Sequence, residues 1–346
     1  MLACASWRCR APQLRLAEGR GGSGGAGEGC CQTTSPRRGR MMSSIPLRGR
    51  IGRLRRALEQ RVDQGWALAW QRLGPAREVP GFDGDPRFAV VTVNFSTTAF
   101  LKLMLLTLSE QSARDRVRRV VVVDNASRDG GIAFLRALAR RAPRISLVEN
   151  RILLNHARGM RRGLRFLDEL DAGDPVGERA NLILSVDTDV IFRNPETLID
   201  LAQPFIHDGA AAAGELRHWN YPYPEAQASF LAVRRDIYAR RDLAPWVNHG
   251  APAYWLQRSL WQAGEKIACF PSNAGAYVLH RGRSGVAAAG AYRPLHSYAS
   301  EPNSEPHFMR VPDGAEIWAQ TERRLADLLS DDGAPRLLDL LAERFA

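Results

Sequence analysis

From residue 87 the chain alternates short continuous apolar runs with longer stretches in which apolar residues recur every three or four positions. The runs "RFAVVTVNF", "VRRVVVVDNAS", "RISLVEN" and "NLILSVDTDV" read as strands. The stretches "TTAFLKLMLLTLSEQ", "GGIAFLRALARR" and "GMRRGLRFLDEL" between them read as amphipathic helices. Strands that are apolar at every position, separated by such helices, predict a mostly parallel sheet covered on both faces. After residue 195 the alternation loosens. "AAAGEL", "QASFLAVRR", "EKIACF" and "AGAYVLH" predict strands, "APAYWLQRSLWQAG" a helix, and residues 313–346 two short helices.

Upstream, the pattern changes twice. Residues 1–45 include "EGRGGSGGAGEGCCQTTSPRRGRMMSS", Gly, Ser and Arg with almost no large apolar side chains, so they predict disorder. Met41 and Met42 close this tail, and translation starting there is the simplest explanation for it. Residues 46–80 then form a helix and linker: Ile51, Leu54, Leu58, Val62, Trp66, Trp70 and Leu73 make an apolar stripe over 48–73 before "GPAREVPGFDGDP". The plain expectation is that this stripe packs on the domain; peripheral contact with an anionic membrane is the alternative.

Charge refines this. The net +11 is concentrated at the N-terminus: residues 1–40 hold seven Arg against two Glu, and 41–80 eight Arg against two Glu and one Asp. The body is close to neutral, so no nucleic-acid partner is expected. No apolar run approaches the ~20 residues needed to cross a bilayer, and the N-terminus lacks a signal-type apolar core. The expectation is a cytoplasmic protein, with residues 48–73 giving any peripheral contact at the inner membrane face. The cysteines, four in the tail and Cys269 in the body, form neither a disulfide framework nor a zinc pattern.

In an open parallel sheet, ligands bind beyond the carboxyl ends of the strands. "TVNFSTT" brings Asn94 and Ser96 to that edge, and "VVDNASRDGG" brings Asp124, Asn125, Ser127 and Asp129, a composition that a plain turn also favours. "ENRILLNHARGMRRG" offers Arg158 and Arg161 to a phosphate. "SVDTDV" ends the fourth strand with Asp187 and Asp189. On an extended strand the two face the same way, and hard oxygen ligands in pairs suit Mg²⁺ or Mn²⁺. Six aromatic residues (Trp219, Tyr221, Tyr223, Trp246, Tyr254, Trp255) gather in the second half, where they could face sugar rings or anchor loops.

Over residues 87–285 these motifs, with "SFLAVRRDIY" and "YVLHRGRSG", resemble the family 2 glycosyltransferases and relatives of the GT-A fold. The resemblance implies an α/β fold with a mostly parallel, Rossmann-like central sheet flanked by helices. A nucleotide-sugar-binding half would span 87–200, an acceptor-binding half 201–312 and C-terminal helices 313–346. It also implies transfer of a sugar from a nucleotide-diphosphate donor to a hydroxyl of a glycan or lipid-linked acceptor, in cell-surface glycan or glycoconjugate synthesis. Asp124 would then hold the base or ribose, Asp189 the metal on the diphosphate, Asp187 the ribose or metal, and His280 the diphosphate or metal.

One departure stands out. Inverting relatives carry an Asp or Glu at the start of the acceptor-side helix as general base. "NHGAPAYWLQRSL" has none, leaving His249, Glu215 and Glu225 as candidates. Two alternatives follow. One is a catalytically degenerate nucleotide-sugar-binding or membrane-associated module. The other is a haloacid-dehalogenase-type phosphatase using "DTD", with Lys266 as its only downstream lysine.

Overall fold

The computed structural model describes residues 47–74, 77–217, 224–247, 252–285, 287–288, 306–329 and 335–346. The chain divides into two compact units, 1–57 and 58–346. In the first, the described residues are the opening turns of helix α1 (Leu47–Leu73), whose remainder belongs to the second.

The second unit is a mixed α/β fold around a seven-stranded, mostly parallel sheet. Strands β1 (Phe88–Asn94), β2 (Val117–Asp124), β3 (Ile145–Glu149) and β4 (Leu182–Val186) pair parallel in the order β3-β2-β1-β4. Helices α2 (Thr98–Leu108), α3 (Ile132–Arg141) and α4 (His156–Asp171) connect them. A short β5 (Val190–Phe192) and helix α5 (Thr197–Asp208) follow. Then β6 (Ala212–Arg217) and β7 (Glu225–Arg234) extend the sheet, with β7 antiparallel between β4 and β6, before α6 (Arg235–Tyr238), α7 (Tyr254–Gln262) and β8 (Ile267–Cys269) at the edge. The two halves expected at 87–200 and 201–312 therefore share one sheet. β9 (Val278–His280) pairs with β5 in a separate two-stranded ribbon.

Both faces are covered, as the continuous Val/Ile/Leu runs require. Alternate residues of β1, Phe88 and Val90 against Ala89 and Val91, point into two different cores. The first contains α2, α3 and α5 together with the C-terminal helices α8 (Gly314–Leu329) and α9 (Pro335–Arg344), which contribute Trp318, Leu325, Leu337 and Leu341. Those helices pack against α2 and α3 on that face. The second core holds α4 and α7. Each fully buried Leu or Phe side chain here contributes roughly 1.5–3 kcal/mol, so the fold rests on many such positions. Helix α4 lies unusually close to β1: a Cβ at Gly159 would fall 2.9 Å from Val93.

Three details differ from the sequence pattern. The fourth strand ends at Val186, and Asp187 to Asp189 form a turn closed by a Val190 N–H bond to Asp187 O, 3.2 Å. Helix α5 was not expected, because Pro204 interrupts its sequence; Pro removes one amide, yet five buried residues still hold the helix on the core. Helix α1 forms over the expected residues, but from Leu58 onward its apolar stripe faces solvent instead of packing on the domain.

Candidate active site

The carboxyl ends of β1, β2 and β4 lie side by side, so the loops that follow them form one polar rim. On its β1–β2 side the polar groups satisfy one another. Asn94 donates through Nδ2 to Asp124 Oδ1 (3.0 Å), Ser127 Oγ (3.1 Å) and Thr98 Oγ1 (3.1 Å), and its Oδ1 accepts from the Thr97 hydroxyl (2.9 Å). The other oxygen of Asp124 accepts the Ser127 amide (3.1 Å). Asn125 is held by Asn150 and by the backbone of Leu154. Asp129 accepts the Thr98 and Gly131 amides and so caps α2. Ser96 (φ 52°) and Ala126 (φ 59°) both adopt left-handed backbone in the two loops, a strain that residues with a Cβ tolerate when surrounding contacts fix it. The expected residues Asn94, Asp124 and Ser127 therefore meet in one network, while the Asn125 side chain belongs to a neighbouring one with Asn150 and Leu154.

The β4 side is built differently. Antiparallel pairing with β7 carries the Asp187 amide to Ser229 O (2.9 Å), and the buried Thr188 hydroxyl meets Thr97 Oγ1 (2.8 Å). The turn is thereby pinned to β7 on one side and to the loop after β1 on the other. The β5–β9 pairing places Val190 opposite His280, bringing the imidazole onto the two carboxylates. His280 Nε2 lies 3.2 Å from Asp189 Oδ1 and 3.8 Å from Asp187 Oδ2. One ligand atom from each of the three residues lies within 4.8 Å of the others. The residue pair expected from an extended strand does converge, but through a turn.

Electrostatics separates the two acids. Burial opposes ionisation of Asp189, yet His280 and the Ser284 amide outweigh it and hold the carboxyl at about 2. Burial pushes Asp187 up, as does the charge of Asp189, against the pull of His156 and His280. Burial alone would lower His280, but Asp189 and then Asp187 raise it above the ordinary imidazole range. Among the described residues neither ring nitrogen of buried His280 has an aligned hydrogen-bond partner. Two carboxylates and an orphaned buried imidazole fit a divalent cation: the carboxylates suit Mg²⁺ or Mn²⁺, and the nitrogen ligand shifts the preference toward Mn²⁺.

Two histidines at this site carry no signal of their own in the sequence. His156, at the first position of α4, lies within electrostatic reach of Asp187. Its place directly after the third strand was the available clue. His307 stacks edge-on against His280, with ring centroids 5.2 Å apart. Gly282 (φ 76°) makes that approach possible, because a Cβ there would fall 2.7 Å from the His307 ring. Only the fold brings position 307 to position 280.

Other expected residues go elsewhere. Arg158 and Arg161 both donate to Asp63 of α1 (2.5 and 2.8 Å) and are drawn to that helix instead of to the carboxylate rim. Glu215 accepts the backbone amides of Asn273 (2.6 Å) and Ala274 (3.0 Å), and so fixes the loop before β9. It lines a cavity of about 230 Å³ with Arg217, His307 and Arg310. Glu225 is buried at the start of β7, opposite Arg217. His249, Trp219, Tyr221 and Tyr223 lie outside the described residues. Trp246 is core, stacked edge-on with Tyr238, while Tyr254 and Trp255 pair with each other at the start of α7.

The class of protein the sheet defines is an α/β fold with its polar site at the carboxyl edge. No family model matches the chain, and no curated protein matches it. Solved structures with a similar fold are glycosyltransferases. The Pyrobaculum calidifontis mannosyltransferase in complex with GDP-Man and Mn²⁺ is 17% identical, over 85% of this chain and 84% of that one (TM-score 0.41). S. aureus TarS 1-349 in complex with UDP-GlcNAc is 14% identical over 75% and 71% (TM-score 0.44). Glucosyl-3-phosphoglycerate synthase from Mycobacterium tuberculosis is 18% identical over 58% and 71% (TM-score 0.36). Likeness at this level leaves the functional reading to the rim's own geometry.

Proposed function

We propose that the chain is a metal-dependent glycosyltransferase that moves a sugar from a nucleoside-diphosphate donor to an acceptor hydroxyl with inversion. The observation that carries this is the convergence of Asp187, Asp189 and His280 beside the Asn94–Asp124 network on one sheet edge. Asp187, Asp189 and His280 would hold Mn²⁺ or Mg²⁺, which when bound neutralises the charge on the leaving diphosphate. Asp124, fixed by Asn94 and Ser127, is placed to accept hydrogen bonds from a base or ribose edge. Asn125 and Ser127 would lie beside the same ligand group, and His156 and His307 would add donors around the diphosphate.

The acceptor, a glycan or a lipid-linked sugar, would enter on the β6–β7 side. The proton from the attacking hydroxyl would fall to one of Glu215, Glu225 or His249, of which Glu215 already holds two loop amides. In the reaction the acceptor oxygen forms the new bond to the sugar's anomeric carbon, the bond to the diphosphate oxygen breaks, and the base takes the hydroxyl proton. Cytoplasmic placement at a membrane's inner face, in surface-glycan or glycoconjugate synthesis, belongs to the same proposal; among the described residues no helix is long and apolar enough to cross a membrane.

The phosphatase alternative meets a physical obstacle. Lys266 precedes β8 and pairs with Asp208 (3.3 Å) at the opposite edge of the sheet from Asp187 and Asp189. The test is a nucleotide-sugar panel assayed for transfer and hydrolysis with and without Mn²⁺. Metal-dependent turnover of one donor supports the reading. Nucleoside-diphosphate binding without any turnover identifies a degenerate binding module, and no binding refutes both.

A further inference from the structure

Helix α1 turns its polar face to the domain. Asp63, Ala67 and Gln71 are buried, whereas Leu58, Val62, Trp66, Trp70 and Leu73 are between 47% and 85% exposed. The attachment is specific. Asp63 accepts from Arg158 and Arg161, and Gln71 Nε2 donates to the backbone oxygens of Tyr238 (2.9 Å) and Arg240 (2.8 Å). Burial opposes ionisation of Asp63, but the two guanidiniums outweigh it and hold the carboxyl below its ordinary range. Polar side chains thus hold the helix with its apolar stripe outward. A contiguous exposed patch containing two tryptophans marks a surface built to meet something.

A second observation indicates what it meets. A cavity of about 470 Å³ lies against the same helix, with Trp66 and Trp70 on its wall. Five arginines line it, Arg77, Arg158, Arg161, Arg162 and Arg165, against the single carboxylate of Asp63. Arg61 and Arg72 are exposed on α1 beside the stripe. Guanidinium forks match phosphate oxygens, and tryptophan favours the boundary between headgroups and acyl chains. A basic cavity continuous with an apolar stripe is the complement of an anionic bilayer, whose apolar and charged parts are likewise adjacent.

We infer that residues 58–73 rest on an anionic membrane with the stripe in the interface, and that the arginine cavity takes the phosphate of a lipid headgroup. This deepens the membrane placement proposed above, and its test reads vesicle binding, so it can fail without the sugar-transfer reading failing. The test is flotation of the full chain with phosphatidylcholine vesicles, with and without phosphatidylglycerol. Binding is expected only with the anionic lipid. Trp66→Ala with Trp70→Ala leaves the net charge unchanged and should still weaken binding by roughly tenfold. Arg162→Gln with Arg165→Gln should weaken it by roughly thirtyfold, whereas Arg323→Gln with Arg336→Gln, the same charge loss on α8 and α9, should change it little. Thermal melts and circular dichroism confirm that each variant is folded.

Several results would overturn the inference. One is equal loss in the two arginine pairs, which means the basic tail attracts vesicles nonspecifically. Another is binding indifferent to the tryptophans. A third is absence of vesicle binding, whether accompanied by a dimer in sedimentation velocity, which assigns the stripe to a second copy, or by stabilisation with inorganic phosphate alone, which makes the cavity a free-phosphate site.

Discussion

The two sides of the rim carry similar polar residues but differ in how fully these satisfy one another. Around Asn94 and Asp124, donors and acceptors pair within the protein, and left-handed backbone at Ser96 and Ala126 fixes the loops. Around Asp187, Asp189 and His280, two acids and an imidazole face each other with both ring nitrogens lacking aligned partners. Buried polar groups in native proteins are ordinarily hydrogen-bonded, so a cluster left incomplete points to a partner from outside. The first side is a preformed wall; under the proposed function the second would be completed by a cation.

That contrast can be broken by substitution, beginning where the effect should be largest. Asp189→Asn should lower metal-dependent transfer by about a thousandfold, since metal stabilisation of a transition state is worth several kcal/mol, while the metal-free protein stays folded and melts only a few degrees lower through the lost ion pair with His280. Transfer kinetics and a thermal melt on the same preparation check both parts. A melt that falls as steeply as activity would show the cluster to be scaffold.

On the other side the pattern should invert. Asn94→Ala leaves Asp124 and the Thr97 amide short of a partner, at a cost of about 1–3 kcal/mol, so the metal-free protein should melt several degrees lower. Gly282→Ala forces a Cβ against His307 and a left-handed backbone on a residue with a side chain. It should destabilise by about 1–2 kcal/mol and weaken metal binding by displacing His280. A Mn²⁺ titration of the folded variant reads the second effect.

The smallest effect concerns pH, at helix α1 and away from the rim. Asp63 is held below its ordinary range, so its contribution to holding α1 is fully present above the unfolded-state value of about 3.9 and is lost as pH falls through the lower folded value. Asp63→Asn should therefore lower stability at neutral pH and flatten the loss of stability below about pH 4. Unfolding by denaturant across that range measures it, and parallel acid limbs for both proteins would exclude the ion pair.

Much of this architecture was legible in the sequence, for physical reasons. Continuous Val/Ile/Leu runs can be satisfied only by a sheet covered on both faces, and β1 to β4 follow them closely. His280 entered only through the resemblance carried by "YVLHRGRSG", whereas Asp124, Asp187 and Asp189 were legible as rim residues because position and residue chemistry coincided. The turn at Asp187–Asp189 was not, since "SVDTDV" has the composition of a strand and the break comes from pairing with β7 and β9. His307 was hidden because its place depends on a contact across 27 residues of chain and a glycine at position 282. The outward face of α1 was hidden for a different reason. Periodicity shows that a helix has an apolar face, but what that face meets depends on Asp63 finding Arg158 and Arg161, and Gln71 finding the backbone at Tyr238 and Arg240.

The account stands most directly on Mn²⁺ binding followed by electron paramagnetic resonance, with and without a nucleoside diphosphate, in the natural chain and in Asp189→Asn. A single saturable site that tightens with the nucleotide and disappears in the variant is the predicted result. Equal Mn²⁺ binding by both proteins would contradict it.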